Sequence, residues 1–379
     1  MKKGKLFIIT TIPLSLYFFE GQVTFLKKSF NVSLVSSDGD LLHSIAKSEK
    51  VNYHILNVKR EISIFNDIIS LISFIKLFYK ERPNFIHCNT PKASFLALFA
   101  GYFCRVPKRL YFVHGLRYEG TIGFKKRLLM FMEKLSCFFA TDVIAVSNGV
   151  KGILENSITT KKVKVVGSGS SNGIDTKKFT VEKYNSTELK MSLGIKEEAY
   201  VFGFVGRLVK DKGINELVNV FDKLNSNYNN IKLLLVGPYE DELDPLDALT
   251  KMKITTNKNI LFVGFQKDIK PFLNLMNIFV FPSYREGFGM VLMEAGAMQV
   301  PCISSNITGC NEIIIENVTG LLIPSKNEDE LHAKMEYSIL HKPEMKKMGI
   351  NAEQSIKKRF EQVTVWNQYL REYNKIYST

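Results

Sequence analysis

The chain has 379 residues but only five cysteines, and none stands in a Cys-x-x-Cys pair. Cys88, Cys104, Cys137, Cys302 and Cys310 are scattered, which argues against a zinc site or a disulfide framework and for a reducing compartment. Zinc, RNP-like and basic-zipper patterns are also missing, so only charge speaks for nucleic acid, and none is expected as a partner. A long unbroken apolar run is absent as well. The start, MKKGKLFIIT, has the basic opening of a signal segment, but its apolar run is only about six residues before Pro13. It reads as the first strand of a sheet. Acidic residues are outnumbered: 37 Asp and Glu face 51 Lys and Arg, a net charge of +14. That excess calls for an anionic lipid or an anionic substrate, or else reflects solvated lysine faces on helices.

What is present is a folded α/β chain. Hydrophobic residues make up 45% and charged residues 23%, which fits a globular protein, and the length suits two domains. Short strand-like runs alternate with periodic helical segments: Lys5–Thr10, Asn31–Ser37, Phe85–Cys88, Arg109–His114, Asp142–Ser147 and Lys162–Gly167. The rhythm restarts at Tyr200–Gly206 and continues through Ile231–Gly237, Asn259–Gly264, Ile278–Ser283 and Val300–Ser305. Such alternation argues for parallel sheets covered by helices on both faces. The expectation is two doubly wound Rossmann-like domains, residues 1–180 and 181–353, facing across a cleft. A polar stretch, Thr176–Glu198, is the expected linker, and an amphipathic C-terminal helix (about 354–379) could pack back onto the first domain. Ligands of such sheets bind at the carboxyl ends of the strands.

The most informative stretch is EGFGMVLME, Glu286 to Glu294, just after the strand-like IFVFPSY. A strand, a glycine turn and a helix follow in order. A helix start carries unpaired N–H groups and a partial positive charge, so it suits a phosphate. Gly287 and Gly289 allow close approach to the backbone. At 1.5 Å rise per residue, Glu286 and Glu294 would stand about 12 Å apart, with Glu294 about two turns into the helix. That spacing could hold two parts of one nucleotide-sugar. The second half opens with GFVGRLVKDKG, where Arg207 and Lys212 follow Gly206. A guanidinium fork and an ammonium beside a glycine turn match a diphosphate, although an ordinary charged surface loop has the same look. GFQKDIKP, beginning at Gly264, lies near where a base would sit.

In the first half, His114 ends a strand-like run in VHGLRYEG and would face the cleft, unless it is a buried structural histidine. His87, in FIHCNTPKAS, is a weaker case of the same kind. GSGSSNGID, Gly167 to Asp175, is turn-rich, and Asn172-Gly173 is a strong turn dipeptide. Asp38-Gly39-Asp40 has the spacing of a metal-binding pair, but turn and helix N-cap duties explain it. Two segments mix aromatics with bases. Ile62–Lys80 is nearly long enough to span a bilayer but is interrupted by Asn66, Asp67 and Lys76. Phe124–Ala140 sets Lys125, Lys126 and Arg127 beside Leu128, Met130, Phe131, Phe138 and Phe139. That pattern suits a helix lying in a membrane interface, or a core helix with a solvated basic end.

Together these residues resemble the retaining glycosyltransferases of family four, which have the GT-B fold. Glu286 and Glu294 match the family's E-x7-E motif. Gly206, Arg207, Lys212 and Gly213 match its phosphate signature, and Asn172, Gly173, Asp175 and Phe179 match its N-G-x-D…F segment. Pro301, Glu312 and Gly320 approximate the pattern that follows. The resemblance implies a nucleotide-sugar donor, usually a uridine diphosphate sugar, with an N-acetylhexosamine or a deoxy sugar as the candidate sugars. It implies retention of configuration by front-side displacement, with no cofactor and no metal. Arg207 and Lys212 would neutralise the diphosphate and Glu294 would bind the ribose. Glu286, with Gly287, Phe288, Gly289, Met290 and Val291, would hold the sugar and β-phosphate, with His114 near the sugar as a catalytic group. The family's Gly-Gly loop after the first strand is missing, since Thr10–Gln22 holds only Gly21. Ser15 and Phe18 are possible substitutes there, with His87 and Asn172 also on the acceptor side. The overall look, including SLYFFEGQ and HGLRYEG, is similar to bacterial capsule and O-antigen enzymes. Those work at the inner, cytoplasmic face of the membrane, as peripheral proteins, on polyprenyl-diphosphate-linked saccharides. The alternatives are a sugar epimerase or phosphorylase of the same fold, or a non-catalytic glycan-binding subunit.

Overall fold

The structure is a computed structural model that describes residues 3–59, 63–181, 184, 187–242 and 244–378. Part of the expected linker and the first residue of the segment Ile62–Lys80 lie outside the described residues. The chain divides into two compact units, Met1–Gly173 with Gln362–Thr379, and Ile174–Glu361.

The first unit is built on seven parallel strands: β1 (Lys5–Ile9), β2 (Asn31–Ser36), β3 (Asn52–Ile55), β4 (Phe85–Cys88), β5 (Lys108–Val113), β6 (Asp142–Ala145) and β7 (Val163–Lys164). Their order is β3-β2-β1-β4-β5-β6-β7, so the winding reverses between β1 and β4. Leu6, Phe7, Ile8 and Ile9 are consecutive and all buried, as a strand covered on both faces requires. β3 has no such run. Its residues NYHI lie mostly exposed at the sheet edge, which is why no apolar signal marks it.

The C-terminal helix Gln362–Ser378 belongs to this unit. Val365, Tyr369, Tyr373 and Ile376 recur at helical spacing and are buried. The Tyr369 hydroxyl donates to the Ser170 carbonyl at 2.7 Å. The return begins at Gln362 rather than near residue 354. The preceding helix, Lys342–Phe360, packs in the second unit against the helix Met290–Ala297, and Glu361 leaves helical backbone at φ −53° and ψ 128°.

The second unit has six parallel strands: β8 (Tyr200–Val205), β9 (Ile231–Val236), β10 (Ile260–Phe262), β11 (Ile278–Phe281), β12 (Cys302–Ser305) and β13 (Gly320–Ile323). Their order, β10-β9-β8-β11-β12-β13, reverses between β8 and β11. All six residues of the central β8 are buried. Gly203 stands in its middle because a Cβ there would lie 2.0 Å from the Met276 sulfur. In doubly wound sheets the crevice at the reversal, at the carboxyl ends of the strands, is where ligands bind.

Candidate active site

In the second unit both motifs converge on that reversal. Gly206, Arg207 and Lys212 follow β8, and Glu286 follows β11. The Lys212 ammonium forms an ion pair with Glu286 Oε1, and both side chains are mostly buried, at 15% exposure each. The same ammonium lies 5.3 Å from the centre of the Phe281 ring, and the Ser283 hydroxyl donates to Glu286 Oε1 at 3.3 Å. Arg207 is half-exposed and ion-paired with Glu240, in the loop after β9.

Gly213 fixes the turn that presents Lys212. Its φ is +71°, and a Cβ would lie 2.2 Å from the Pro282 carbonyl oxygen. Gly213→Ala is therefore expected to cost about 1–3 kcal/mol of stability, from left-handed strain and overpacking, read by urea denaturation. An unchanged midpoint would remove the steric argument.

The helix after the glycine turn starts at Met290, with Gly289 as its N-cap. Glu294 is thus about one turn in, not two, because the loop takes up more of the motif than its spacing suggested. The amides divide into two sets. Gly289 N–H donates to the Gly309 carbonyl at 3.2 Å and Met290 N–H to Phe288 at 2.9 Å, so neither is free for a ligand. The amides of Gly287, Phe288 and Val291 have no partner among the described residues. The Phe288 side chain is buried against Phe360, so only its backbone is available to a ligand. Glu294 takes no hydrogen bond from another described side chain, and burial pushes its pKa up to about 7, with Lys270 pulling weakly the other way. Gly264, at φ +68°, accepts from Gly237 N–H at 2.8 Å and leaves open space where a side chain would stand.

In the first unit, His114 follows β5. Its ring stacks on Phe18 at 4.5 Å and 19°, and its Nε2 lies 3.2 Å from Asn89 Oδ1. Burial lowers its pKa to about 3, so the ring is neutral. Phe18 thus belongs with His114, and Ser15 sits in the same short 3-10 helix, Pro13–Phe19. His87 is different. It is 1% exposed in the core, and its Nδ1 pairs with the Tyr373 hydroxyl at 2.8 Å. Burial holds it well below the usual histidine range. Asn172 is buried too: Trp366 Nε1 donates to its Oδ1 at 2.6 Å and its Nδ2 donates to the Glu20 carbonyl at 3.2 Å. Both residues, expected on the acceptor side, instead tie the C-terminal helix to the first unit. Asp38 pairs with His43 at 3.2 Å and Asp40 opens the helix Asp40–Glu49. The five cysteines are free.

Sequence reasoning missed Glu240 and Asn89. Each lies just past the carboxyl end of a strand, in VGPYEDE and FIHCNTPKAS, and that position was the available signal.

Two doubly wound parallel units with this site define a glycosyltransferase of the GT-B type. The description "Glycosyl transferases group 1" matches residues 185–355, and "Glycosyl transferase 4-like" matches residues 8–147. The chain belongs to the group 1 (family four-like) glycosyltransferases. It is 36% identical over 377 residues to the "Capsular polysaccharide biosynthesis glycosyltransferase CapM" of Staphylococcus aureus, covering 99% of this chain and 98% of that one. It is 28% identical to the "UDP-Gal:alpha-D-GlcNAc-diphosphoundecaprenol alpha-1,3-galactosyltransferase" of Escherichia coli, over 80% and 78% of the two chains. Among solved structures, Anabaena Alr3699/HepE in complex with UDP superposes with a TM-score of 0.81 at 18% identity, covering 98% of this chain and all (100%) of that one.

Proposed function

We propose that the protein moves a sugar from a uridine diphosphate sugar to a polyprenyl-diphosphate-linked saccharide, with retention, in capsule or O-antigen synthesis. The observation that carries this is the set of charges and donors at the reversal of the second sheet: Arg207, Lys212, and the unpaired amides of Gly287, Phe288 and Val291. These are fixed positive groups where a diphosphate gains charge as it leaves. In the reaction the bond from the anomeric carbon to the β-phosphate oxygen breaks. The acceptor oxygen bonds to the same face of that carbon, and its proton passes to the departing phosphate. Arg207 and Lys212 balance the charge, Glu286 orients the sugar, and Glu294 accepts hydrogen bonds from the ribose hydroxyls. The names of the relatives support the donor and acceptor classes: one uses UDP-galactose on a diphosphoundecaprenol-linked sugar, and another is a capsule enzyme. On this reading no metal is needed, because the protein's own cations do that work. A donor screen with membrane extract as acceptor, read by mass spectrometry with and without a chelator, tests it. A product of inverted configuration overturns retention, and loss of activity with chelator overturns the metal-free reading.

The first unit supports a lipid-facing role. The helices Ile64–Glu81, Pro91–Phe103 and Gly123–Phe139 pack side by side. They leave Phe65 (75%), Phe124 (80%), Phe131 and Phe138 exposed, together with Ile68 and Phe103. Lys125, Lys126 and Arg127 are exposed beside them. Among the described residues no helix is long and apolar enough to cross a membrane. An exposed apolar and basic face suits peripheral binding to anionic lipid at the inner face of the cytoplasmic membrane. The expectation is co-sedimentation with vesicles containing anionic lipid, weakened several-fold in Phe124→Ser/Phe131→Ser and by salt. Equal binding to neutral vesicles, or none to either, contradicts it.

A further inference from the structure

His114 and Asn89 carry an inference that neither motif nor relatives supply. The His114 ring is held by Phe18, stacked at 4.5 Å, and by Phe112, tilted at 4.5 Å. The 3.2 Å contact between His114 Nε2 and Asn89 Oδ1 does not by itself say which atom donates. The other end of Asn89 decides it. Asn89 Nδ2 lies 3.2 Å from the Ile9 carbonyl oxygen and 3.2 Å from that of His87. Both carbonyls can only accept. Turning the amide over would set Oδ1 against two carbonyl oxygens and forfeit both bonds in a buried place, since Asn89 is 2% exposed. Nδ2 must therefore face the carbonyls, and Oδ1 must face the ring. An amide oxygen cannot donate, so His114 Nε2 carries the hydrogen. With the ring neutral, Nδ1 keeps its lone pair, and it has no hydrogen-bond partner among the described residues.

We propose that Asn89 is a positioning residue that locks His114 in the Nε2–H tautomer, so that Nδ1 serves as a hydrogen-bond acceptor for a carbohydrate hydroxyl. This rests on the reading of His114 as sugar-facing. The consequence is chemical selectivity. A ring locked this way takes a hydroxyl donor at Nδ1 and rejects a phosphate oxygen there, so His114 neither binds the diphosphate nor acts as an acid.

The test uses the full chain labelled with 15N-histidine. The expected wild-type spectrum shows His114, assigned by comparison with His114→Ala, with a hydrogen on Nε2 and a bare Nδ1. Asn89→Leu is expected to lose that bias and to lower kcat by about tenfold with little change in donor KM, since the ring remains but is misdirected. A hydrogen on Nδ1 in the wild type overturns the proposal, and that measurement holds even if Asn89→Leu fails to fold. A folded Asn89→Leu with an unchanged tautomer also overturns it. Nε2–H together with full transfer by His114→Ala leaves the lock standing but overturns the role at the sugar. The two failures are thus separable.

Discussion

Lys212→Met is expected to lower kcat by about two to three orders of magnitude, the usual cost of removing one preorganised charge-stabilising donor. The structure gives two reasons for an effect of that size. Lys212 is mostly buried beside the Phe281 ring, where weak screening makes its charge count for more than a surface lysine's. It is also held in place before any donor arrives, by its ion pair with Glu286. The substitution also strands the Glu286 carboxylate, which among the described residues keeps the Ser283 hydroxyl at 3.3 Å. Some loss of stability is therefore expected as well, because a mostly buried charge loses its partner. The double variant Lys212→Met/Glu286→Gln separates the effects. It should recover most of the stability and none of the activity. Lys212→Arg should not rescue fully, since a planar fork does not fill the place of a point charge. Single-turnover kinetics at saturating donor give the measurement. A Lys212→Met enzyme within threefold of wild type would falsify the placement of the leaving phosphate at Lys212.

The strands most easily read from sequence were those buried on both faces. LFII in β1 and IFVF in β11 are continuous apolar runs, and the alternation with helices was enough to give two parallel sheets. β3 and β13 escaped for opposite reasons. β3 is a mostly exposed polar edge, and β13 is four residues, GLLI, too short to stand out from a motif. Within the site, the pattern of glycine, charge and spacing located the cations and carboxylates. It could not show which amides are already taken: Gly289 donates to Gly309, twenty residues downstream, and no local signal announces that. Nor could polarity at a strand end separate a ligand-facing side chain from a buried tie. His87 and Asn89 lie two residues apart and are both buried. His87 is claimed by Tyr373 from the C-terminal helix, while Asn89 turns its oxygen to His114. Long-range partners decide such cases, and a single sequence does not contain them.

Glu294→Gln should weaken uridine diphosphate binding about ten- to hundred-fold at pH 8, the worth of one or two hydrogen bonds to a charged group. It should also remove a pH dependence that the wild type shows. Burial raises the Glu294 pKa to about 7 in the free protein, so near neutrality the carboxyl is only half ionised. On the proposed reading two ribose hydroxyls donate to it, which favours the ionised form and is expected to pull the pKa down on binding. Binding therefore expels a proton, and affinity falls as pH drops below 7, to about tenfold weaker at pH 6 than at pH 8. The diphosphate takes up a proton of its own in this range, so the glutamine variant is the baseline and the difference between the two proteins is the quantity read. Titration calorimetry in two buffers of different ionisation enthalpy counts the proton directly. The same shift fixes the sign for folding. A carboxyl whose folded pKa is raised binds more protons folded than unfolded between its ordinary 4.5 and about 7, so its contribution to stability falls as pH rises through that window. Glu294→Gln should thus be more stable than wild type at pH 8, with the gap closing below about pH 4.5. Weaker binding combined with higher stability is the signature of a group kept for a ligand rather than for the fold. A variant that loses stability and keeps its affinity would place Glu294 in the core and the ribose elsewhere.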